Sequence, residues 1–130
     1  MAKTINKKYN YNSVEETPVW KLSYELVLLV YKITSNFPKS EVYGLVSQIR
    51  RSACSIGANI SEGFDRHTTK ELIQFLYNAR GSCAETRFHL RVALGLKYVS
   101  GEEYTRANDL LGNIGKQLNG WIKSLKNLKN

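Results

Sequence analysis

Residues 100–128 read SGEEYTRANDLLGNIGKQLNGWIKSLKNL, and this stretch decides the fold. Ser100 followed three residues later by Glu103 is a capping box, in which each side chain satisfies a backbone N–H left open at a helix start. Behind it, Tyr104, Ala107, Leu111, Ile114, Leu118, Trp121, Leu125 and Leu128 alternate steps of three and four. That heptad seam keeps one apolar face of a helix turned toward a partner helix. It predicts a helix running to about Asn127.

The same grammar recurs upstream. Thr68 and Glu71 form a second capping box, which opens a helix to about Tyr98. Ser40 is read as the cap of a helix with apolar positions Val42, Leu45, Ile49, Ala53, Ile56 and Ile60, ending near Gly63. Thr17 and Pro18 supply a cap and a proline at the first helical position. From there Val19, Leu22, Leu26, Leu29, Ile33 and Phe37 recur at helical spacing until Pro38 stops the helix. Connections of about four or five residues turn each helix back along the one before it. The expected fold is all-α, an antiparallel up-down-up-down four-helix bundle over residues 17–130. Residues 1–16 are polar and aperiodic and read as a mobile arm.

A chain of 130 residues supports one domain, and 42% hydrophobic residues exclude wholesale disorder. With 2 prolines and 9 glycines the chain does not resemble a loop-dense β protein. Cys54 and Cys83 make neither a CxxC pair nor a disulfide framework, which fits a reducing compartment. No apolar run follows the first lysines, as a signal peptide would require. The longest apolar run, Leu26 to Tyr31, is far too short to span a bilayer. A cytoplasmic protein without a membrane partner is expected.

The backs of the first three helices carry little charge. Between Gly44 and Phe64 the charged residues are Arg50, Arg51 and Glu62, and the side opposite the core holds Ser47, Cys54 and Ala58. Trp20, Tyr24, Val27, Leu28 and Tyr31 lie off the first seam, and Tyr77 and Phe88 off the third. Apolar surface of this kind marks interfaces, so a homo-oligomer joined through these helices is expected.

Beside the core stripe of the second helix runs a polar line of Gln48, Ser52, Ser55, Asn59 and Glu62. The third helix has its counterpart in Asn78, Ser82, Glu85 and His89. Antiparallel pairing is expected to set Ser52 near Ser82, and Glu85 near Gln48 and Arg51. Polar groups flanking a core need partners, so a structural network is expected. The alternative is a pocket with Glu62, Glu85 and His89 as acid–base groups. No nucleophile, phosphate loop or metal-ligand spacing accompanies them, so no enzyme, cofactor or metal is expected. Gly112 to Lys116 superficially suggests a nucleotide loop, yet it follows no strand and lies inside a helix. Close helix approach is the expected reason for Gly112, Gly115 and Gly81.

The run from Tyr43 to Gly63, YGLVSQIRRSACSIGANISEG, followed by Ala79 to Glu85, ARGSCAE, resembles a bacterial four-helix-bundle family. That family is named from reading frames in intervening sequences of 23S ribosomal RNA genes. The likeness spans about Pro18 to Lys126. It implies a homopentamer with a basic surface and no known enzymatic activity. The fold is also similar to the accessory protein of diversity-generating retroelements, a pentamer that binds a reverse transcriptase and nucleic acid. By position, the motif residues are Gln48, Arg50, Arg51, Ser55, Asn59, Glu62, Gly63, Gly81, Ser82 and Glu85.

The 19 basic and 11 acidic side chains leave a net charge of +8. Arg80, Arg87 and Arg91 fall on one ridge of the third helix, near Tyr77 and Phe88. Lys116, Lys123 and Lys126 lie on the solvent side of the fourth, and Lys3, Lys7 and Lys8 in the arm. Arginines beside aromatics bind phosphates and stack on unpaired bases. The expected function is a non-enzymatic, RNA- or nucleic-acid-binding scaffold, partnering a reverse transcriptase or ribosomal RNA. The alternative is a module whose basic face meets an acidic protein.

Overall fold

The structure, a computed structural model, describes residues 11–128. Four helices make up about three quarters of it: α1 (Pro18–Thr34), α2 (Leu45–Phe64), α3 (Thr69–Gly95) and α4 (Gly101–Lys126). They close a ring in which α1 packs on α2, α2 on α3, α3 on α4 and α4 on α1. Leu26 and Ile33, Ile49, Ile56 and Ile60, Leu72, Leu76 and Leu90, and Leu111, Ile114, Leu118 and Leu125 fill the centre, all fully buried.

Three of the four helix starts are those the sequence announces. Thr17 Oγ1 accepts from Trp20 N, and Thr68 Oγ1 accepts from Glu71 N. Ser100 and Glu103 satisfy each other's backbone N–H groups at 3.0 Å. The start of α2 differs. Residues Lys39–Glu41 form a separate 3-10 turn, and Glu41 Oε1 caps α2 by accepting from Leu45 N at 3.1 Å. The first connection therefore covers residues 35–44, longer than expected, and Val42 is exposed instead of joining the seam.

Two further boundaries move. Of the expected arm, residues 1–10 lie outside the described residues. Val14–Glu16 form a 3-10 turn, and Tyr11 and Val14 pack against the core. On α4, Ile122 is buried where Trp121 was expected, and Leu128 is exposed. A strict three–four alternation drifts around a straight helix by about 20° per heptad. By the third heptad the neighbouring residue has taken the inward position.

Helix α3 ends at Gly95, before the expected Tyr98, in a left-handed cap. Lys97 has φ 65°, Lys97 N donates to Leu94 O, and Tyr98 N donates to Ala93 O. This is a Schellman motif with lysine where glycine is usual. It delivers Tyr98 onto Phe37, with ring centroids 5.5 Å apart, and the Tyr98 hydroxyl donates to Glu41 Oε2 at 3.2 Å.

The polar line between α2 and α3 is real but sits in another register. Thr86 Oγ1 and Ser52 Oγ share a hydrogen bond of 2.8 Å, and Ser82 Oγ and Ser55 Oγ one of 2.9 Å. Asn59 Nδ2 donates to Ser55 Oγ and Ser55 O. Ser52 thus meets Thr86, about one helical turn beyond the expected Ser82. The tight approach at the α2–α3 turn sets this register. A Cβ on Gly63 would stand 2.7 Å from Phe75 Cβ and 3.0 Å from Leu72 Cδ1, so only glycine lets the helices meet there. Gln48, Arg51, Glu62 and Glu85 are exposed and stand outside this network. Arg50 turns to α1, where Nε donates to Thr34 Oγ1 at 2.9 Å and the guanidinium lies 4.3 Å from the Tyr31 ring centre.

Candidate functional site

The face shared by α3 and α4 gathers the structure's best-placed cations. Arg80 projects from α3 toward α4, and its Nη1 donates to Asn119 Oδ1 at 3.0 Å. Two helical turns on, Arg87 Nε donates to Asn108 Oδ1, also at 3.0 Å. Lys116 lies between the two asparagines along α4. Two adjoining hollows, of about 320 and 550 Å³, share Arg87, Gly112 and Lys116 and so form one groove along this face. Asp109 is the carboxylate in its lining, at the Asn108 end.

The chemistry of these anchors matters. An amide oxygen orients a guanidinium as a carboxylate would, but leaves its charge intact. Among the described residues no carboxylate lies within salt-bridge reach of Arg80 or Arg87, whereas Arg66 is paired with Glu62 at 3.3 Å. At the other end Tyr77 takes two cations: Arg80 at 4.8 Å and Lys126 at 5.1 Å from its ring centre. Such contacts steady both charges without neutralising them.

The groove floor is made by Gly112 and Gly115. A Cβ at either, or at Gly81, would meet nothing within 4 Å. The expectation that close helix approach explains these glycines is therefore corrected. Gly112 and Gly115 line the channel and keep it open, Gly81 lies outside its lining, and the contact glycine between helices is Gly63. Below the floor Cys83 is buried, and burial pushes its thiol up to about 11 despite the opposing pull of Arg87.

Of the six cations singled out from sequence, the structure brings together Arg80, Arg87, Lys116 and, through Tyr77, Lys126. Arg91 and Lys123 are exposed and do not line the groove. Lys3, Lys7 and Lys8 lie outside the described residues. Asn108 and Asn119 were missed; their signal was the placement of poor helix formers in the middle of a long helix. Thr86 was missed too, although Ala79, Cys83, Thr86 and Leu90 share one inward spacing.

Glu62, Glu85 and His89 do not converge. Glu62 belongs to the turn end of α2, roughly 15 Å along the helix pair from Glu85 given 1.5 Å per residue. His89 Nε2 lies 3.5 Å from Glu85 Oε2 on the same helix and makes no hydrogen bond among the described residues. Among the described residues no three His, Cys, Asp or Glu side chains cluster as metal ligands would. None of the described helices is long and apolar enough to cross a membrane.

A second hollow, of about 560 Å³, opens where the end of α1 meets the start of α2. Its lining includes Lys39, Arg50 and Arg51 with Tyr31 and Tyr43, and contains no carboxylate. Tyr43 is 96% exposed, and Tyr24, Leu28 and Tyr31 continue an apolar strip along α1.

Comparison with known proteins places the chain. No curated protein matches it. A protein of unknown function from the S23 ribosomal protein family of Bacteroides thetaiotaomicron has a similar crystal structure, with a TM-score of 0.73 and 30% sequence identity. The match covers 81% of this chain and 98% of that one. Residues 15–120 match the family model described as 23S rRNA-intervening sequence protein. With the fold and the sequence in agreement over most of its length, the chain belongs to the 23S rRNA-intervening sequence protein family.

Proposed function

We propose that this protein is a non-enzymatic, cytoplasmic scaffold that binds RNA or another nucleic acid through the α3–α4 face. The observation that carries the reading is the pair Arg80–Asn119 and Arg87–Asn108, two arginines held in place with their charge unspent. The cross-helix pairs Trp20–Ser61, Thr34–Arg50, Ser55–Ser82 and Arg87–Asn108 support an antiparallel up-down-up-down bundle. The exposed strip of Tyr24, Leu28 and Tyr31, with Phe88 at 65% exposure on α3, supports assembly into a homo-oligomer, a pentamer by family resemblance. Five copies multiply the charge of +8 and favour polyanions over neutral partners. A reverse transcriptase or ribosomal RNA is the proposed client of such a scaffold.

The test is titration of a labelled RNA at several salt concentrations. Binding should weaken steeply with salt, and Arg80→Gln and Arg87→Gln should each flatten the log–log slope by about 0.7 for a single strand. An RNA affinity absent at low salt would refute the reading. Light scattering of Ala58→Glu, a charge placed on the low-charge back of α2, tests assembly: an unchanged large species would remove α2 from the interface.

One observation favours a second reading. The hollow around Lys39, Arg50 and Arg51 combines cations with exposed aromatic rings and contains no acid, as an acidic protein segment would require. Binding of an acidic protein without RNA binding would support it.

A further inference from the structure

We infer that the α3–α4 groove takes one strand of nucleic acid, its sugar–phosphate backbone lying over Gly112 and Gly115 between Arg80, Arg87 and Lys116. The inference rests on the proposed nucleic-acid function and gives it a ligand class. Two features of the groove carry it, and both are independent of net charge.

The first is shape. Packed helices stand about 8–10 Å apart, so the valley between them admits one chain. In an A-form duplex the phosphates line two rims of a broad cylinder, which would ride on the helix ridges without reaching the floor. Here the floor is where the structure has been cleared: Gly112 and Gly115 face open space, and any larger residue there would fill the channel. The second feature is the cation layout. Arg80 and Arg87 stand two turns apart, about 10 Å along α3, and Lys116 faces them from α4 across the same channel. Cations thus line both walls of one track, as phosphates on a single strand require. Their asparagine anchors hold the guanidinium groups at the wall and leave no carboxylate to displace. Asp109 lies at the Asn108 end and discourages the strand from continuing past it.

The test uses the full chain, a labelled 20-nucleotide oligouridine and a labelled RNA duplex of the same length. Gly112→Leu with Gly115→Leu keeps the net charge, meets open space and raises helix propensity. We expect this variant to bind the single strand about tenfold more weakly, with duplex binding unchanged and with native sizing and helicity. A second pair, Asn108→Asp with Asn119→Asp, neutralises the arginines in place. It should weaken single-strand binding more than Asn36→Asp with Gln48→Glu, which makes the same charge change at exposed sites elsewhere. Should the glycine variant misfold, the asparagine comparison decides alone. Wild-type binding with equal affinity for the glycine variant, or equal losses in the two charge pairs, would overturn the groove and leave the nucleic-acid reading standing. Tighter binding of duplex than of single strand would also overturn it. No binding of either RNA by the wild type would overturn both.

Discussion

Thr86 on α3 and Ser52 on α2 share a 2.8 Å hydrogen bond in a place where neither side chain sees water. Each has a second route: Ser52 Oγ donates to Ile49 O, and Thr86 Oγ1 reaches Ser82 O. The pair therefore fits the register that the close approach at Gly63 sets, and leaves little unsatisfied. Thr86→Val should lower stability by about 1 kcal/mol. Ser52→Ala with Thr86→Val should cost less than the two single losses summed, because neither partner is then stranded. Urea unfolding of the four species measures the coupling, and strict additivity would show that the bond contributes nothing.

The glycines should separate into two kinds. Gly63→Ala drives a methyl group to 2.7 Å from Phe75 Cβ, and overpacking of this sort costs about 1–3 kcal/mol. Gly81→Ala meets nothing and should stabilise α3 by about 0.5–1 kcal/mol through helix propensity. Thermal melts of the two variants should shift in opposite directions.

Lys97 occupies a left-handed conformation that an L side chain adopts at a cost of roughly 1–2 kcal/mol. Lys97→Gly should keep both backbone hydrogen bonds of the cap and raise stability by about 1 kcal/mol. A melting temperature that falls would mean the lysine side chain contributes something its exposed position hides.

The two cysteines should differ in reactivity. Cys54 is exposed on α2, whereas Cys83 is buried with its thiol pushed up to about 11 by burial. At pH 8 only about one in a thousand Cys83 side chains is a thiolate, so iodoacetamide should modify Cys54 alone in the folded protein. Because the folded state holds the Cys83 proton more tightly than the unfolded chain, that contribution is complete below pH 9 and is lost toward pH 11. Mass spectrometry after alkylation, and urea midpoints between pH 8 and 10.5, check the two statements.

Most of the helical architecture was legible because capping boxes and seam spacing are local signals. Thr68–Glu71 and Ser100–Glu103 act over three residues: Ser100 and Glu103 close the full box, whereas the Thr68 hydroxyl accepts from Glu71 N and donates to Glu71 Oε1, which leaves that cap one-sided. The start of α2 was not, because Glu41 caps it from a preceding 3-10 turn and Ser40 only imitates a cap in sequence. The pairing of Ser52 with Thr86 depends on how closely Gly63 lets two helices meet, which no local pattern states. The groove was half legible. Arg80, Arg87 and Lys116 stood out by charge, but which of six cations share a channel depends on the α3–α4 crossing. Asn108 and Asn119 carried no charge to draw attention, and the open glycines looked like packing.

Glu41 ties together parts of the chain that are far apart in sequence. One carboxylate oxygen caps α2 through Leu45 N, and the other receives the Tyr98 hydroxyl from the connection between α3 and α4. Tyr98 in turn rests on Phe37 from the connection between α1 and α2. The two connections at this end are thereby one opening unit: to lift Tyr98 is to loosen the cap of α2 as well. Amide hydrogens in residues 35–46 and 94–100 should exchange with a common opening free energy, slower than exposed loops otherwise do.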